Sequence, residues 1–506
     1  MFKTLITEEN KKWWVLLALA IFIVMLNIDL TAVNLALADI ALDLHASLVT
    51  LQWVINGFII SNGTFILLAG SLIAVFGKKD LFLISCISFI ITSVLVALSW
   101  DSYSIVIARF IQGATLAIAF PVSSLLIFSL FNKKQYGIAL GILMGGAGLG
   151  QAIGPSVGGI IVTLLGWRWI FFINVPIGLL VVILILLTGL EKIKKEKIKI
   201  NVLPLIIITI GILLTLGALN EFNNWGLELS VFIFLMGIVL AFLGVFVSYK
   251  NKDPYMDLSL FKNKQYVLLS AIRWCFQFSF FSLLFILGIF LINILSFSTF
   301  QAGLIMLFAS ISLGVLSIFG GRLVDKCGAK KVIIIGQLFF ALACFMFATF
   351  SYPYSFIRLV LPFLFFGIAS GFVFSPTTTC VGLVVEEKQR NLAINIFYTT
   401  ILIVSSLGVA ITGTVIGFIS RRNILPILSK LNLSSYKESL LIKMSEATHP
   451  IADIVNHFPS NKHYLISLVR DVFLHSFSII MWILFAIIII SIFLLFFLKI
   501  EKPQEE

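Results

Sequence analysis

Leu26-Asn27-Ile28-Asp29-Leu30-Thr31-Ala32-Val33-Asn34 places a carboxylate and three neutral polar side chains in the middle of an apolar stretch. That stretch, near 13–36, is long enough to cross a hydrocarbon core about 30 Å thick. Asp29 is the only carboxylate that falls deep inside an apolar segment; every other Asp and Glu lies in a connection or at the end of one. A charge at the bilayer centre costs roughly 2.5–3.5 kcal/mol on insertion scales, so it persists mainly where it has work to do. A group able to take up and release a proton inside a membrane points to proton-coupled chemistry.

The rest of the chain supports a membrane setting. Of its 506 residues 60% are hydrophobic and 11% charged, and the mean hydropathy is +1.12. A soluble domain carries about 25% charged residues. The apolar segments run for about 20 residues or more, too long for the strands of a membrane barrel. We read fourteen helical spans, near 13–36, 51–76, 81–100, 104–131, 136–165, 168–190, 202–220, 228–249, 266–294, 300–321, 331–351, 355–383, 391–419 and 472–498. With the N-terminus in the cytoplasm, 24 of the 35 Lys and Arg fall in cytoplasmic connections and tails. This positive-inside bias puts both termini in the cytoplasm and accounts for the net charge of +12 without nucleic acid.

Two patterns occur twice. Gly70 to Lys79 at the end of the second span is matched by Gly320 to Lys331 at the end of the tenth, and Gly113 to Pro121 by Gly367 to Pro376. Such repeats imply two six-helix halves, 13–190 and 266–498, separated by 191–265 with two inserted spans, and flanked by tails 1–12 and 499–506. Transporters are commonly built this way. Gly146, Gly150, Gly154 and Gly158, with Pro155 and Gly159 beside them, let a neighbouring backbone approach closely and favour a bend in the fifth span. They are candidate hinge residues.

Arg109, inside the fourth span, is always charged and needs a partner. Asp29 is the only acid of comparable depth in the same half. A neighbouring cation favours an ionised carboxylate and an apolar surround disfavours it, so a change of shape that alters either can move a proton. At 100° per residue Asn27, Thr31 and Asn34 share one helix face and Asp29 points the opposite way. We expect Asp29 to face a packed helix and the Asn/Thr face to border a wetter region. Asn27, Thr31, Asn34, Gln112 and Arg273 are candidate substrate-pathway residues, Arg273 with snorkelling to the near interface as its alternative. Residues 421–470 read as a long outer loop, with apolar residues that could form surface helices. His449, His457, His463 and His475 in or just beyond it have no metal-ligand spacing. The five cysteines show no paired spacing either.

Together these stretches resemble the fourteen-span drug:proton antiporters of the major facilitator superfamily. Leu26 to Leu37 is similar to that branch's first-span motif, Arg109 to Gly113 to its fourth-span motif, and Gly150 to Gly159 to its antiporter motif. Trp167-Arg168-Trp169-Ile170-Phe171-Phe172-Ile173-Asn174-Val175-Pro176 is similar to a stretch common in the branch. The resemblance implies an all-α polytopic fold of two six-helix halves plus two inserted helices. It also implies a plasma-membrane (bacterial inner-membrane) carrier that exports amphipathic toxic compounds in exchange for protons. Gly321, Asp325, Lys326 and Gly328 match the family's cytoplasmic gate motif; its first copy is altered, with Ala74 and Val75 where an acid and a base are usual.

The expected partners are a small-molecule substrate, protons and the lipid bilayer, with the chain acting as a monomer. No cofactor is implied. An endogenous metabolite or siderophore, anionic in one version, is the alternative cargo. A membrane enzyme would need a phosphate-binding loop or a metal-spaced helix, and neither pattern occurs. A transport-dead sensor is the third reading, suggested by Ala74 and Val75.

Overall fold

The computed structural model describes residues 7, 10–132, 135–190, 203–251, 258–386, 389–429, 435–458 and 462–499. All regular structure among them is helical. The first group comprises α1 (Lys11–Asp43), α2 (Leu48–Phe65), α3 (Ala69–Phe76), α4 (Lys78–Ala97), α5 (Ser102–Leu116), α6 (Ala119–Leu130), α7 (Tyr136–Leu165), α8 (Trp169–Phe172) and α9 (Asn174–Leu187). Then come α10 (Leu203–Asn220) and α11 (Phe222–Lys250). The second group comprises α12 (Lys264–Ile289), α13 (Thr299–Cys327), α14 (Ala329–Ala348), α15 (Phe356–Val384), α16 (Arg390–Leu428), α17 (Ser435–Ser445), α18 (Ile454–His457) and α19 (Lys462–Phe497). Reciprocal capping boxes open α5 (Asp101 with Ser104) and α13 (Ser298 with Gln301), satisfying backbone donors at the helix starts.

Twelve helices among the described residues are long and apolar enough to cross a membrane, and a bent pair within α7 makes thirteen. The remaining expected span, 51–76, is helical as α2, a 3-10 turn at Ile66–Leu68 and α3. It is less apolar because Gln52, Asn56, Ser61, Asn62 and Thr64 lie along it.

The expected outer loop 421–470 is largely helical. α16 runs on to Leu428 and α19 starts at Lys462 because both have packing partners there. Ile424, Leu428, Leu465 and Val469 bury with Leu440, Leu441, Met444 and Ile454 in a small separate apolar cluster. Arg421 Nε donates to Glu446 Oε1 at 2.6 Å, and Asn293 Nδ2 to the Ala447 carbonyl at 2.7 Å, tying the cluster to α16 and to the end of the α12 span. His449 pairs with Asp453 at 3.0 Å. No group of three or more potential metal ligands occurs among the described residues, and all five cysteines are free thiols.

α1 packs along α7 and α2 along α5, while α13 packs along α15 and α12 along α16. α10 and α11 pair with each other, and α10 leans on α2 and α16. The two groups meet along α7 on α13, α2 on α16 and α1 on α12. The sequence repeats have matching geometry. A Cβ on Gly113 would lie 2.1 Å from the Phe58 carbonyl oxygen, and one on Gly367 would lie 2.1 Å from that of Ala309. Gly77 and Gly328 end α3 and α13 at φ of 81° and 85°, a region that favours glycine.

Toward the end where α1 finishes, the groups close on each other. A Cβ on Gly288 would sit 2.3 Å from the Asn34 carbonyl oxygen, Gly159 lies against Gly303, and Gln52 Nε2 donates to the Ala410 carbonyl at 2.8 Å. α7 bends by 45° between Gly145–Gln151 and Ile153–Leu165, beside Pro155.

Of the face expected to be wetter, Asn27 is half-buried, while Thr31 and Asn34 are buried, Thr31 beneath α7. The α7 glycines bring its backbone against α1: Gly150 on Val24 and Asn27, Gly154 on Thr31, Gly158 on Ala32. Gln151 Nε2 donates to Asn27 Oδ1 at 3.0 Å and Thr31 Oγ1 to the Gln151 carbonyl at 3.3 Å. Asn34 Nδ2 donates to the Thr31 carbonyl at 3.0 Å, and Thr31 and Asn34 are buried. Of the gate residues, Gly328 forms the turn just noted. Gly321 and the side chains of Asp325, Lys326 and Ala74 lie outside the described residues.

The seam makes a direct prediction. Gly158→Val, whose Cβ would meet the Ala32 carbonyl oxygen at 2.7 Å, should lower the thermal unfolding temperature of the purified protein, with an overpacking loss of about 1–3 kcal/mol. Gly148→Ala, with nothing within 4 Å of its added Cβ, should leave it unchanged.

Candidate functional site

Asp29 and Arg109 are 1% and 0% exposed, and polar groups buried to that degree must satisfy one another. Arg109 Nη1 donates to Asp29 Oδ2 at 2.7 Å. The same nitrogen donates to Gln112 Oε1 at 2.7 Å, and Gln112 Nε2 donates to Ser93 Oγ at 2.9 Å. Asn174 Nδ2 then reaches both Ser93 Oγ, at 3.2 Å, and the other Asp29 oxygen, Oδ1, at 2.9 Å. The five side chains close a ring across α1, α4, α5 and α9. Arg109 Nε also donates to the Val54 carbonyl of α2 at 3.3 Å.

Local sequence explains the placement. Gly113, one turn beyond Arg109, lets α5 touch α2 at Phe58, whose ring lies 4.0 Å from the Arg109 guanidinium carbon. Phe171 of α8 covers the guanidinium at 5.4 Å. A desolvated cation over an aromatic face gains about 2 kcal/mol or more. The segment 167–176 serves this site along its length. Trp167 Nε1 donates to Asp43 Oδ2 at 3.0 Å, and Arg168 pairs with the same carboxylate at the end of α1. Phe171 then caps Arg109, and Asn174 holds Asp29. Each Asp29 oxygen thus accepts one hydrogen bond, Oδ2 from Arg109 and Oδ1 from Asn174.

A family model described as Major Facilitator Superfamily matches residues 17–262 and 269–506. The chain belongs to the Major Facilitator Superfamily. It is 28% identical to the tetracenomycin C resistance and export protein of Streptomyces glaucescens, over 80% of this chain and 76% of that one. It is 26% identical to the methylenomycin A resistance protein of Bacillus subtilis (79% and 87% covered) and 29% identical to that organism's multidrug transporter protein MdtP (66% and 62% covered). Among solved structures it is similar to a bacterial homologue of the human lysosomal transporter Spinster in an inward-facing, occupied conformation. That match has a TM-score of 0.65 and 16% identity, covering 98% of this chain and 99% of that one. The chain is thus a multi-pass membrane transporter.

As a superfamily transporter it should have a path between its two helix groups, and a void of about 20 Å³ lies there. Gln151 and Pro155 of α7 line one side and Phe280, Met306, Ser310 and Phe366 the other. It has room for about one water molecule. The residues expected along the pathway fall into separate places. Gln112 belongs to the Asp29 ring, because its amide links Arg109 directly to Ser93. Asn27 and Thr31 belong to the α1–α7 seam, and Asn34 lies where Gly288 of α12 meets α1. Arg273, only 6% exposed, lies between α12 and the Phe374 ring of α15. Snorkelling does not describe a side chain so buried.

Sequence reasoning missed Ser93 and Asn174. Asn174 carried a signal in the quoted 167–176 motif; Ser93, a lone serine in an apolar span, carried none.

Because the pair is buried, breaking it from one side should be severe. Arg109→Met, which strands Asp29, should lose about 3–5 kcal/mol of stability. The double variant Asp29→Asn/Arg109→Gln should lose clearly less than the two single losses added, in a double-mutant cycle of detergent unfolding. Additive losses would mean that the two side chains do not act as a pair.

Proposed function

We propose that this transporter is a proton-coupled exporter that moves amphipathic toxic compounds out of the cell by alternating access. The observation that supports it is the desolvated Asp29–Arg109 pair, held in a closed ring by Gln112, Ser93 and Asn174. Protonating Asp29 removes the charge that Arg109 is paired with, and the links that join α1 to α4, α5 and α9 weaken. With both termini in the cytoplasm, as the basic connections imply, the closed end of the helix groups faces outward. A proton taken up at Asp29 from outside then favours the inward-facing state, and its release inside, which re-forms the pair seen here, accompanies substrate capture.

The cycle uses residues 13–190 and 266–498 as rocking halves, with 191–265 carrying the inserted helices. Gly146 to Gly159 and Pro155 act as the hinge, and Gly321, Asp325, Lys326 and Gly328 as the cytoplasmic gate. Moving one charge down a potential of 100 mV supplies about 2.3 kcal/mol, so the gradient can drive export uphill. The relatives' resistance names support toxic compounds as cargo. An endogenous metabolite is the second reading, favoured by Arg273, a buried cation with no carboxylate beside it among the described residues.

Inverted vesicles energised with a proton gradient test the central claim. Asp29→Asn should abolish gradient-driven accumulation of a transported dye while leaving downhill exchange of that dye measurable. Full gradient-driven transport by the variant would remove Asp29 from the coupling step.

A further inference from the structure

Arg273 differs from Arg109 in having an unfilled hydrogen-bonding capacity. Among the described residues its Nε and Nη1 have no hydrogen-bond partner, and neither has Oε1 of Gln277, one turn along the same face of α12. Both side chains are more than nine-tenths buried, at 6% and 4% exposure. The guanidinium carbon lies 4.4 Å from the Phe374 ring centre and 5.8 Å from that of Phe276. A guanidinium is always charged and presents a planar fork matched to a carboxylate, sulfonate or phosphate group. Left unmet in an apolar surround, such donors are costly, and a polar group entering the site would relieve that cost.

An aromatic wall connects this fork to the path between the helix groups. The Phe374 ring is 5.0 Å from that of Phe280, which stacks on Phe366 at 5.0 Å. Phe280 and Phe366 line the central void opposite Gln151 and Pro155. Arg273 and Phe280 are seven residues apart on one helix, about 10 Å at 1.5 Å per residue. That is the length of a two-ring molecule with an acid group at one end. The void as it stands is too small for such a molecule, so binding belongs to a state in which α7 has moved away from α12, α13 and α15.

We propose that Arg273 is the anchor of the substrate site, and that the substrate is a flat apolar compound bearing an anionic group. The anion would sit on the guanidinium fork, and the apolar body on Phe374, Phe280 and Phe366. Gln277 Oε1 offers an acceptor beside the anion. This rests on the transporter reading above, but not on the proton coupling within it. It narrows the cargo to anions, where resistance relatives alone leave its charge open.

The test is equilibrium binding to the full-length protein in nanodiscs of zwitterionic lipid, with no gradient, so a failure of proton coupling cannot imitate a failure of binding. The probes are 2-naphthoate, its neutral amide 2-naphthamide, and 2-naphthylmethylammonium. The wild type should bind 2-naphthoate at least about tenfold more tightly than either of the others. Arg273→Met should erase that preference and leave naphthamide binding unchanged, which also reports that the variant is folded. If Arg273→Met does not fold, Arg273→Lys serves instead: it should keep the preference for the anion but bind it more weakly, having lost the fork. Unchanged naphthoate affinity in the Met variant, or in the Lys variant where that one is used, overturns the proposal. So does equal or tighter binding of the ammonium probe by the wild type. Adding phosphatidylglycerol to the discs separates a lipid-headgroup site from a substrate site. Competitive loss of naphthoate binding would assign the fork to lipid and overturn the proposal, while unchanged binding supports it.

Discussion

The ion pair between Asp29 and Arg109 is withdrawn from water, and this constrains much of the first helix group. Two charges taken into an apolar interior are tolerable only if nearly every remaining donor and acceptor on them is also met. Here that demand draws in Gln112 from α5, Ser93 from α4, Asn174 from α9 and a carbonyl from α2, with Phe58 and Phe171 on the faces of the guanidinium. These contacts come from helices far apart in sequence, so the pair fixes how they stand around α1. Glycine at 113 is part of the same solution, since any side chain there would push α5 off α2.

The two helix groups repeat their backbone devices but not their chemistry. Gly113 on Phe58 has its counterpart in Gly367 on Ala309, yet the residue one turn before Gly367 is Phe363 where the first group has Arg109. The second group is instead rich in rings: Phe276, Phe280, Phe340, Phe366 and Phe374 touch in a connected cluster. The Asp29–Arg109 pair and the connected ring cluster are thereby kept in different helix groups. A buried ion pair in one group and a ring cluster in the other can act on a shared conformational change without sharing any atoms.

The parts legible in the sequence were those that violate a strong rule. A carboxylate and a guanidinium inside apolar spans stand out because each is costly there, and with one of each in the first half the pairing followed. Four-residue glycine spacing was legible as close packing. It did not say which neighbour the glycines meet, and for that reason the burial of Thr31 beneath α7 was not foreseen. Ser93 gave no signal because a single hydroxyl in a span can satisfy itself on the preceding turn, so its sequence position says nothing about a partner. The extent of α16 and α19 beyond the membrane was hidden for a different reason. Their polar outer turns are held by an apolar cluster that they share with α17 and α18, and such support is visible only once the chain is folded.

α1 is where the two halves of the proposed mechanism meet. Its Asp29 face carries the ion pair, and its opposite face carries Asn27 and Thr31, which bond to Gln151 of α7. Gln151 and Pro155 also line the void across from Phe280 and Phe366, next to the 45° bend of α7. A helix packed through glycine backbones on one side and a buried ion pair on the other has few ways to yield locally, because the glycines have no side chain that can readjust and the Arg109 guanidinium is held by Phe58 and Phe171. Any displacement of α1 that follows a change in charge at Asp29 is therefore passed to α7 as a movement of backbone against backbone. α7 is also the wall that has to retreat before the aromatic surface leading to Arg273 can receive a substrate. In the proposed cycle, proton and substrate are linked through the stiffness of this one helix and its glycine seam.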